Sequence, residues 1–361
     1  MKIVAGNSNL PLARAIADYL GLPLTNADVR RFADDEVFVE IHENVRGEDV
    51  FVVQSCYADG GECVDQKLMK LYIMLGSLRD ASAGRITAVL PYYPYARQDR
   101  KTASRAPVTT KYVSALISQF ADRVLAMDVH EPKAIQNAYQ IPCDLLEAKC
   151  LFADHIVGLI HKHNLMREKI VLMAVDHTGL GRVRGLRKHV MRRMGLDVKN
   201  PREVIPLACL DKVHEGASIE GGEGVLGDVS NACVFIYDDM ISSGKSILET
   251  VKAARQHGAK RVVAACAPHG LFVGNANDYL ADPFLMNICT TESIDCFRLN
   301  GAVRAKVTQV KSSKFIAEAI HRIHHNESIS SLLANGLDQG QITPSGEKFI
   351  LPPLQNIFHH F

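Results

Sequence analysis

The sequence has very little net charge. Its 361 residues include 41 lysine and arginine side chains against 40 aspartate and glutamate side chains, which gives a formal charge of +1 at pH 7. A protein this close to neutrality has no overall electrostatic attraction for nucleic acid or for an anionic membrane surface. We therefore expect neither among its partners, and any anion-binding site must be local.

Signals for secretion and membrane insertion are also lacking. No apolar run approaches the roughly 18 residues of a membrane-spanning helix, and residues 1–9 turn polar before a signal-peptide core can form. The 9 cysteines are an odd number and include no C-x-x-C pair, which disfavours a zinc ribbon or a thioredoxin-type redox site. We expect a cytoplasmic protein with reduced thiols.

Short apolar runs alternate with amphipathic stretches along most of the chain. Buried strands are predicted at residues 3–5, 50–54, 86–90, 124–127, 170–175, 204–210, 234–237 and 262–267. Helical periodicity lies between the early strands, at residues 12–20, 67–78 and 108–120. Two successive βαβ series predict an α/β fold with two doubly wound parallel-sheet domains.

Breaks in this pattern indicate the domain limits. Residues 140–142, Gln-Ile-Pro, interrupt the rhythm, so we predict an N-terminal domain at 1–145 and a C-terminal domain at 146–331. Residues 332–361, with several glycines and prolines, are predicted to be an extra, loosely structured tail. Alternating apolar residues at 37–41 predict an exposed β-hairpin within the first domain.

The strongest functional signal lies in residues 234–246. An apolar strand runs into two acids, Asp238 and Asp239, and then into a turn made of Ser242, Ser243, Gly244, Lys245 and Ser246. Backbone N–H groups of such a turn and of the helix after it can bind a phosphate, whereas the acids can bind sugar hydroxyls or Mg²⁺. A Walker A loop is excluded, because that motif requires glycine at position 239.

This segment resembles the phosphoribosyl diphosphate loop of type I phosphoribosyltransferases and of ribose-phosphate pyrophosphokinases. Other motifs match the second family in order, over about residues 1–331: F-A-D-D-E-V at 32–37, V-R-G at 45–47, Y-A-R-Q-D at 95–99 and D-V-H at 128–130. The sequence is identified as a member of the ribose-phosphate pyrophosphokinase family. The resemblance implies a type I phosphoribosyltransferase-like fold in both domains.

The resemblance also implies an activity. The family transfers the β,γ-diphosphoryl group of ATP to the 1-hydroxyl of ribose 5-phosphate with Mg²⁺ as cofactor, which yields phosphoribosyl diphosphate and AMP for nucleotide biosynthesis. The residues implied for ATP binding are Phe32, Asp34, Glu36, Arg97, Gln98 and Asp99. In a homo-oligomer, the first three would come from a neighbouring subunit. Asp35 stands at a family glycine, and we expect the turn to differ because Asp adopts a positive φ less readily than Gly.

The remaining site residues follow from the same resemblance. His130 and Asp176 match metal-binding positions, and Lys212 matches a catalytic lysine, whereas His214 replaces a catalytic arginine. The residues implied for ribose 5-phosphate are Asp238, Asp239, Ser242, Ser243, Gly244, Lys245 and Ser246. Ser242 stands at a family Asp and Lys245 at a family Gly; Lys245 either pairs with the 5-phosphate or faces solvent.

Two alternative functions stay open from the sequence. One is a non-catalytic paralogue that binds nucleotide or regulates an active synthetase, which the departures at His214 and Ser242 favour and the intact Lys212 opposes. The other is a type I phosphoribosyltransferase, which the motifs at 32–37 and 95–99 disfavour.

Overall fold

The computed structural model describes residues 1–211 and 224–336. In its first half the strands are β1 (Lys2–Ala5), β2 (Ala27–Arg31), β3 (Val37–Ile41), β4 (Asp49–Val53), β5 (Arg85–Leu90), β6 (Arg123–Met127) and β7 (Cys143–Leu146). The helices are α1 (Leu10–Leu20), α2 (Val64–Asp80), α3 (Thr109–Ser118) and α4 (Pro132–Ala138). The strands and helices predicted here are all present, with small shifts at their ends.

The second half repeats the alternation. Its strands are β8 (Ile170–Ala174), β9 (Leu207–Asp211), β10 (Gly224–Leu226), β11 (Cys233–Tyr237), β12 (Met240–Ile241), β13 (Arg261–Cys266), β14 (His269–Gly270), β15 (Leu285–Thr291) and β16 (Val307–Val310). Its helices are α5 (Lys149–Lys162), α6 (Leu180–Arg193), α7 (Lys245–Gln256), α8 (Ala276–Tyr279), α9 (Gly301–Arg304), α10 (Ser313–His324) and α11 (Ser330–Asn335). Helix α11 differs from the loose tail predicted from residue 332, because Leu332 is buried in the core.

Some predicted features lie outside the described residues. These are the catalytic positions Lys212 and His214 and the tail beyond Gly336. Among the helices of the described ranges, none has both the length and the apolar composition that crossing a bilayer requires.

The described strands form two main sheets. The first has the order β1-β4-β5-β6-β7 and is parallel throughout. The second has the order β10-β9-β8-β11-β13-β15-β16 and is parallel apart from β10. Its strand order reverses between β8 and β11, which is the topological switch point of a doubly wound sheet. The first sheet instead follows chain order, with helices against both faces.

One apolar core joins the two sheets. Ile16 of α1, Phe51 of β4, Phe152 of α5, Phe235 of β11 and Phe315 of α10 all belong to it, and all are fully buried. Their burial removes large apolar surfaces from water and so favours one fixed arrangement of the two halves. The domain limit at residue 145 stays a prediction, since the halves share this core.

Strands β2 and β3 form the predicted hairpin, an antiparallel pair that stands outside both sheets. Asp35 at its tip adopts a left-handed backbone with φ of 70°. The expectation that the tip would depart from a glycine-like turn is therefore wrong. Arg31 offsets part of the conformational cost by donating to the Asp35 carboxylate at 3.0 Å, and Asp is among the residues that tolerate this region.

The base of the hairpin is tied to two buried lysines of α2. Lys67 donates from Nζ to Asp59 at 2.5 Å, and Lys70 donates to Glu62. Glu62 also lies 3.4 Å from Arg31 at the end of β2. A buried ammonium is stable only when it is paired, so these contacts fix the loop at 59–62, and that loop in turn holds the hairpin.

The backbone at Asp35 gives a first prediction. Asp35→Gly should leave hairpin stability nearly unchanged, because relief of the left-handed backbone, about 1 kcal/mol, offsets loss of an exposed ion pair worth at most about 1 kcal/mol. Asp35→Val should destabilise the hairpin by about 1–2 kcal/mol, since a β-branched residue fits this backbone poorly.

Hydrogen exchange followed by mass spectrometry checks this prediction. Amides of residues 27–41 should exchange about 5–30 times faster in Asp35→Val, whereas those of α5 should not change. Equal exchange of the hairpin in all three proteins would contradict it.

Candidate active site

The predicted site residues gather where strands of both sheets end. His130 follows β6, Asp176 follows β8, and Asp238 and Asp239 follow β11. The carboxyl ends of parallel strands lie at one edge of a sheet, and ligands of such sheets bind at the switch point. The shared core turns the edges of the two sheets toward each other, so residues from both halves meet.

A cluster of opposite charges forms at this junction. Nδ1 of His130, from the first half, lies 2.6 Å from Oδ2 of Asp239, from the second. The Arg182 guanidinium donates to the His130 carbonyl oxygen at 2.8 Å and lies 3.6 Å from both Asp238 and Asp239. One imidazole and one guanidinium therefore lie against two adjacent carboxyl groups.

Burial and ion pairing shift the pKa values of the side chains in this cluster. The hydrogen bond with Asp239 raises the pKa of His130. Burial, reinforced by the neighbouring carboxylate, raises the pKa of Asp238. Burial alone would also raise the pKa of Asp239, but His130 and Arg182 outweigh it and lower that pKa. In the free protein, the negative charge of the pair is therefore concentrated on Asp239.

The turn after β12 forms one wall of a cavity of about 170 Å³. Its lining residues are Arg97, His130, Asp238, Met240, Ile241, Ser242, Ser243, Gly244, Lys245, Ser246 and Ile247. Gly244 caps α7 with a φ of 82°. The first N–H groups of α7, at the edge of this cavity, have no partners within the helix, and that of Lys245 donates to Ser243 Oγ at 3.4 Å. This is the arrangement that binds phosphate at a helix N-terminus.

Lys245 lines this cavity, and its ammonium group lies near a carboxylate of its own helix. Its side chain is 68% exposed, and its Nζ lies 3.8 Å from Glu249 one helical turn further on. The choice between pairing with the 5-phosphate and facing solvent stays a prediction.

A second cavity, of about 270 Å³, adjoins the first. Its lining residues are Val64, Tyr92, Pro94, Tyr95, Ala96, Arg97, Gln98 and Met240. Arg97 and Met240 line both cavities. Asp99 lies close enough to His130 for its charge to contribute to the raised pKa of that imidazole. The predicted residues at 97–99 are thus next to the cluster of charges.

The hairpin tip lies elsewhere. None of the described residues that line the two cavities belongs to the tip, which carries Phe32, Asp34 and Glu36. The Phe32 ring is 47% exposed and packs edge-on against Phe38 with ring centres 5.3 Å apart. Within one chain, the structure does not bring these three residues together with Arg97.

The two predicted metal ligands have different surroundings. The His130 imidazole is 38% exposed and lines the first cavity. Asp176 accepts hydrogen bonds from Thr178 Oγ1 at 2.7 Å and from Gly179 N at 2.8 Å, which caps the start of α6. Within residues 1–211 and 224–336, no three His, Cys, Asp or Glu side chains are grouped to hold a metal ion. These residues suit an ion that takes most of its ligands from substrate phosphates and water, as Mg²⁺ usually does.

Arg182 is a site residue that the sequence did not single out. It lies in the first turn of α6, directly after the carboxyl end of β8. A cation at this place in a doubly wound fold points toward the switch point. That positional signal would have found it, although the carboxylates it contacts are distant in sequence.

The fold and the two adjoining cavities define an α/β protein with a glycine-capped helix start at a topological switch point. Family models match in both halves: the N-terminal domain of ribose phosphate pyrophosphokinase over residues 1–120, and the phosphoribosyl synthetase-associated domain over residues 218–334.

Relatives of known name cover nearly the whole chain. It is 40% identical to the ribose-phosphate pyrophosphokinase of Caulobacter vibrioides over 92% of this chain and 99% of the relative. It is 39% identical to that of Vibrio vulnificus over 92% and 98%. The crystal structure of phosphoribosylpyrophosphate synthetase from Mycobacterium smegmatis matches with a TM-score of 0.76 at 30% identity, over 90% of this chain and 99% of that one. The chain belongs to the ribose-phosphate pyrophosphokinase family.

The turn at Gly244 gives a second prediction. A Cβ there would lie 2.9 Å from the Leu280 side chain on a left-handed backbone. We expect Gly244→Ala to lower the free energy of unfolding by about 1–3 kcal/mol and to weaken the binding of inorganic phosphate roughly tenfold.

Gly158→Ala is the matched control. Gly158 lies within α5 with nothing within 4 Å of an added Cβ, so alanine there should stabilise by about 0.5–1 kcal/mol. Denaturant unfolding measures the free energy of unfolding of each variant, and titration calorimetry measures its affinity for inorganic phosphate. Similar behaviour of the two variants would show that the Gly244 turn is not specifically required.

Proposed function

We propose that this protein transfers the β,γ-diphosphoryl group of ATP to the 1-hydroxyl of ribose 5-phosphate, releasing phosphoribosyl diphosphate and AMP. One observation carries the proposal: two cavities, one with an anion-binding helix N-terminus and one beside the 95–99 segment, share Arg97 and Met240. A nucleotide and a sugar phosphate can therefore lie next to each other at the charged cluster.

One set of residues would bind ribose 5-phosphate, and another set would bind ATP. In the first cavity, N–H groups at the start of α7 would bind the 5-phosphate, and Asp238 and Asp239 would accept hydrogen bonds from ribose hydroxyls. In the second, Arg97 would stack on adenine and Gln98 would bind its edge. Lys212, next after β9 in the sequence, would neutralise charge on the transferred group.

The proposed cofactor is Mg²⁺, which when bound neutralises charge on the ATP phosphates. His130 would provide one protein ligand from the first cavity, and Asp176 is the second proposed ligand. Arg182 keeps Asp239 charged and oriented through their contact at 3.6 Å. This arrangement holds the acceptor sugar beside the nucleotide, and orientation of this kind lowers the barrier to transfer.

The proposal includes a homo-oligomer in the cytoplasm, in which the hairpin of one subunit completes the ATP site of another. Phe32 is exposed, and the tip at 32–36 presents an aromatic ring and carboxylates away from its own cavities. An aromatic side chain and polar groups of this kind suit a purine and its ribose.

A single assay distinguishes this function from its alternatives. Purified protein with Mg²⁺, ATP and ribose 5-phosphate should release AMP, and release should require all three components. Release of ADP would indicate simple γ-phosphoryl transfer and would exclude the proposed reaction. No product, with ATP binding intact, would favour a regulatory paralogue; consumption of added phosphoribosyl diphosphate with a nucleobase would favour a phosphoribosyltransferase.

The shared ATP site gives a further prediction. Phe32→Ala and Arg97→Ala should each lower activity strongly when assembled alone. After the two are unfolded and refolded together, a site that combines intact Arg97 with a neighbour's intact Phe32 should form in about a quarter of positions.

We therefore expect AMP release to recover to about a quarter of the wild-type rate in the mixture. Each variant refolded alone is the control. Absence of recovery, with mixed oligomers present by native mass spectrometry, would show that Phe32 does not act across subunits.

A further inference from the structure

His269 is a buried histidine that the proposed reaction does not use. It begins β14, a two-residue strand parallel to β12 at the carboxyl edge of the second sheet. Only 2% of its surface is exposed. Its ring packs edge-on against Tyr92 of the first half, with ring centres 5.1 Å apart. The imidazole therefore lies between the two halves, directly behind the candidate site.

All ring nitrogens of His269 are bonded. Nε2 lies 3.1 Å from the carbonyl oxygen of Met127 and 3.0 Å from that of Asp128. Nδ1 lies 2.8 Å from Ser293 Oγ. Carbonyl oxygens only accept, so Nε2 carries the proton, and Nδ1 accepts from the serine hydroxyl. Thr291 Oγ1 donates in turn to Pro268 O or to Ser293 Oγ. The tautomer and the ring orientation are thereby fixed.

The two carbonyls belong to the turn that carries His130. Met127 ends β6, and Asp128 adopts a left-handed backbone with φ of 45°. The Asp128 carboxylate accepts from Ala148 N at 2.9 Å. The turn is thus held through its side chain by the start of α5 and through its carbonyls by His269. His130 follows two residues later and reaches Asp239.

We propose that His269 is a positioning residue: its Nε2–H, donated to the carbonyls of Met127 and Asp128, holds the turn so that His130 faces the acidic pair. The inference rests on the proposed function for the role of His130. It assigns to His269 a part in metal–nucleotide binding without contact with either ligand. Groups that orient a metal ligand typically affect metal affinity or activity by about 10–100-fold when removed.

Arg182 also reaches this turn, by donating to the His130 carbonyl oxygen, whereas two further hydrogen bonds between the halves lie away from it. Asn9 Nδ2 donates to Glu292 O at 2.7 Å, and Arg85 Nη2 donates to Ile323 O at 3.0 Å. Arg85 begins β5, so its bond lies at the opposite, amino edge of the first sheet. Arg85→Met therefore removes a contact between the halves without touching the site, which makes it the matched control.

Two substitutions distinguish the effect of the Nε2–H donor of His269 from the effect of its aromatic ring. His269→Phe keeps an aromatic ring against Tyr92 but removes the Nε2–H, whereas His269→Gln can restore an N–H donor. With Mn²⁺ and ATP bound, an imidazole ligand gives a nitrogen coupling in pulsed electron paramagnetic resonance. His130→Ala identifies which histidine produces that coupling.

We expect the wild type, Arg85→Met and His269→Gln to show the nitrogen coupling, and His269→Phe to lose it. The Mn²⁺–ATP affinity and kcat of His269→Phe should fall about 10–100-fold, with partial rescue in His269→Gln. Melting temperatures recorded in parallel separate positioning from general destabilisation, because Arg85→Met should lower Tm without loss of the coupling.

Retention of the coupling and of kcat in His269→Phe would overturn the inference. If His269→Phe does not fold, Ser293→Ala carries the test: it removes the hydroxyl that orients the His269 ring through Nδ1 and should weaken the coupling, and an unchanged signal would overturn the inference equally. Absence of the coupling from the wild type would instead refute the assignment of His130 as a metal ligand, a failure of the proposed function that is distinct from the first.

Discussion

The apolar layer shared by the two sheets is the constraint on which the site depends. Helices α1, α5 and α10 contribute side chains to one core with strands of both halves, so neither sheet can move far without exposing apolar surface to water. This packing brings the end of β6 to the end of β11, and it allows His130 and Asp239 to approach within 2.6 Å. The polar contacts of the site contribute little to the relative placement of the two sheets, because the apolar core already determines it.

In the free protein, the charged side chains of the cluster are paired with one another. Asp239 is bonded by His130 and lies near Arg182, and these partners compensate for its removal from water. A phosphate-bound divalent ion that takes His130 as a ligand must replace this bond with one of comparable strength, because an unpaired buried carboxylate is costly. Arg182 lies 3.6 Å from both carboxyl groups and so offers the pair a positive charge that does not depend on His130.

Local pattern was sufficient to predict most of the fold and the local structure of residues 234–246. The strand at 234–237, the acids after it and the turn at 242–246 were predictable because strand, turn and helix follow each other within one short segment. Asp35 was predicted incorrectly, because an ion pair with Arg31 supports a backbone that propensity disfavours. His269 was not predicted for another reason: the carbonyls it contacts are supplied by a distant part of the chain, so nothing adjacent in sequence marks it. The carboxylates that Arg182 contacts are equally distant, and only its place directly after β8 indicates a role.

The β2–β3 hairpin combines a base fixed by buried ion pairs with an exposed tip. Lys67 and Lys70 are buried residues of α2, and their carboxylate partners lie in the loop at 59–62. One of these partners, Glu62, also contacts Arg31 at the hairpin base. Breaking a buried ion pair costs far more than losing an exposed one, so the base stays fixed while the tip at 32–36 projects from the surface. The proposed reach of the tip into another subunit would gain from such a base, because a freely moving hairpin would lose conformational entropy on every binding event. The two buried lysines, which look unfavourable when α2 is considered alone, are therefore consistent with a site assembled between chains.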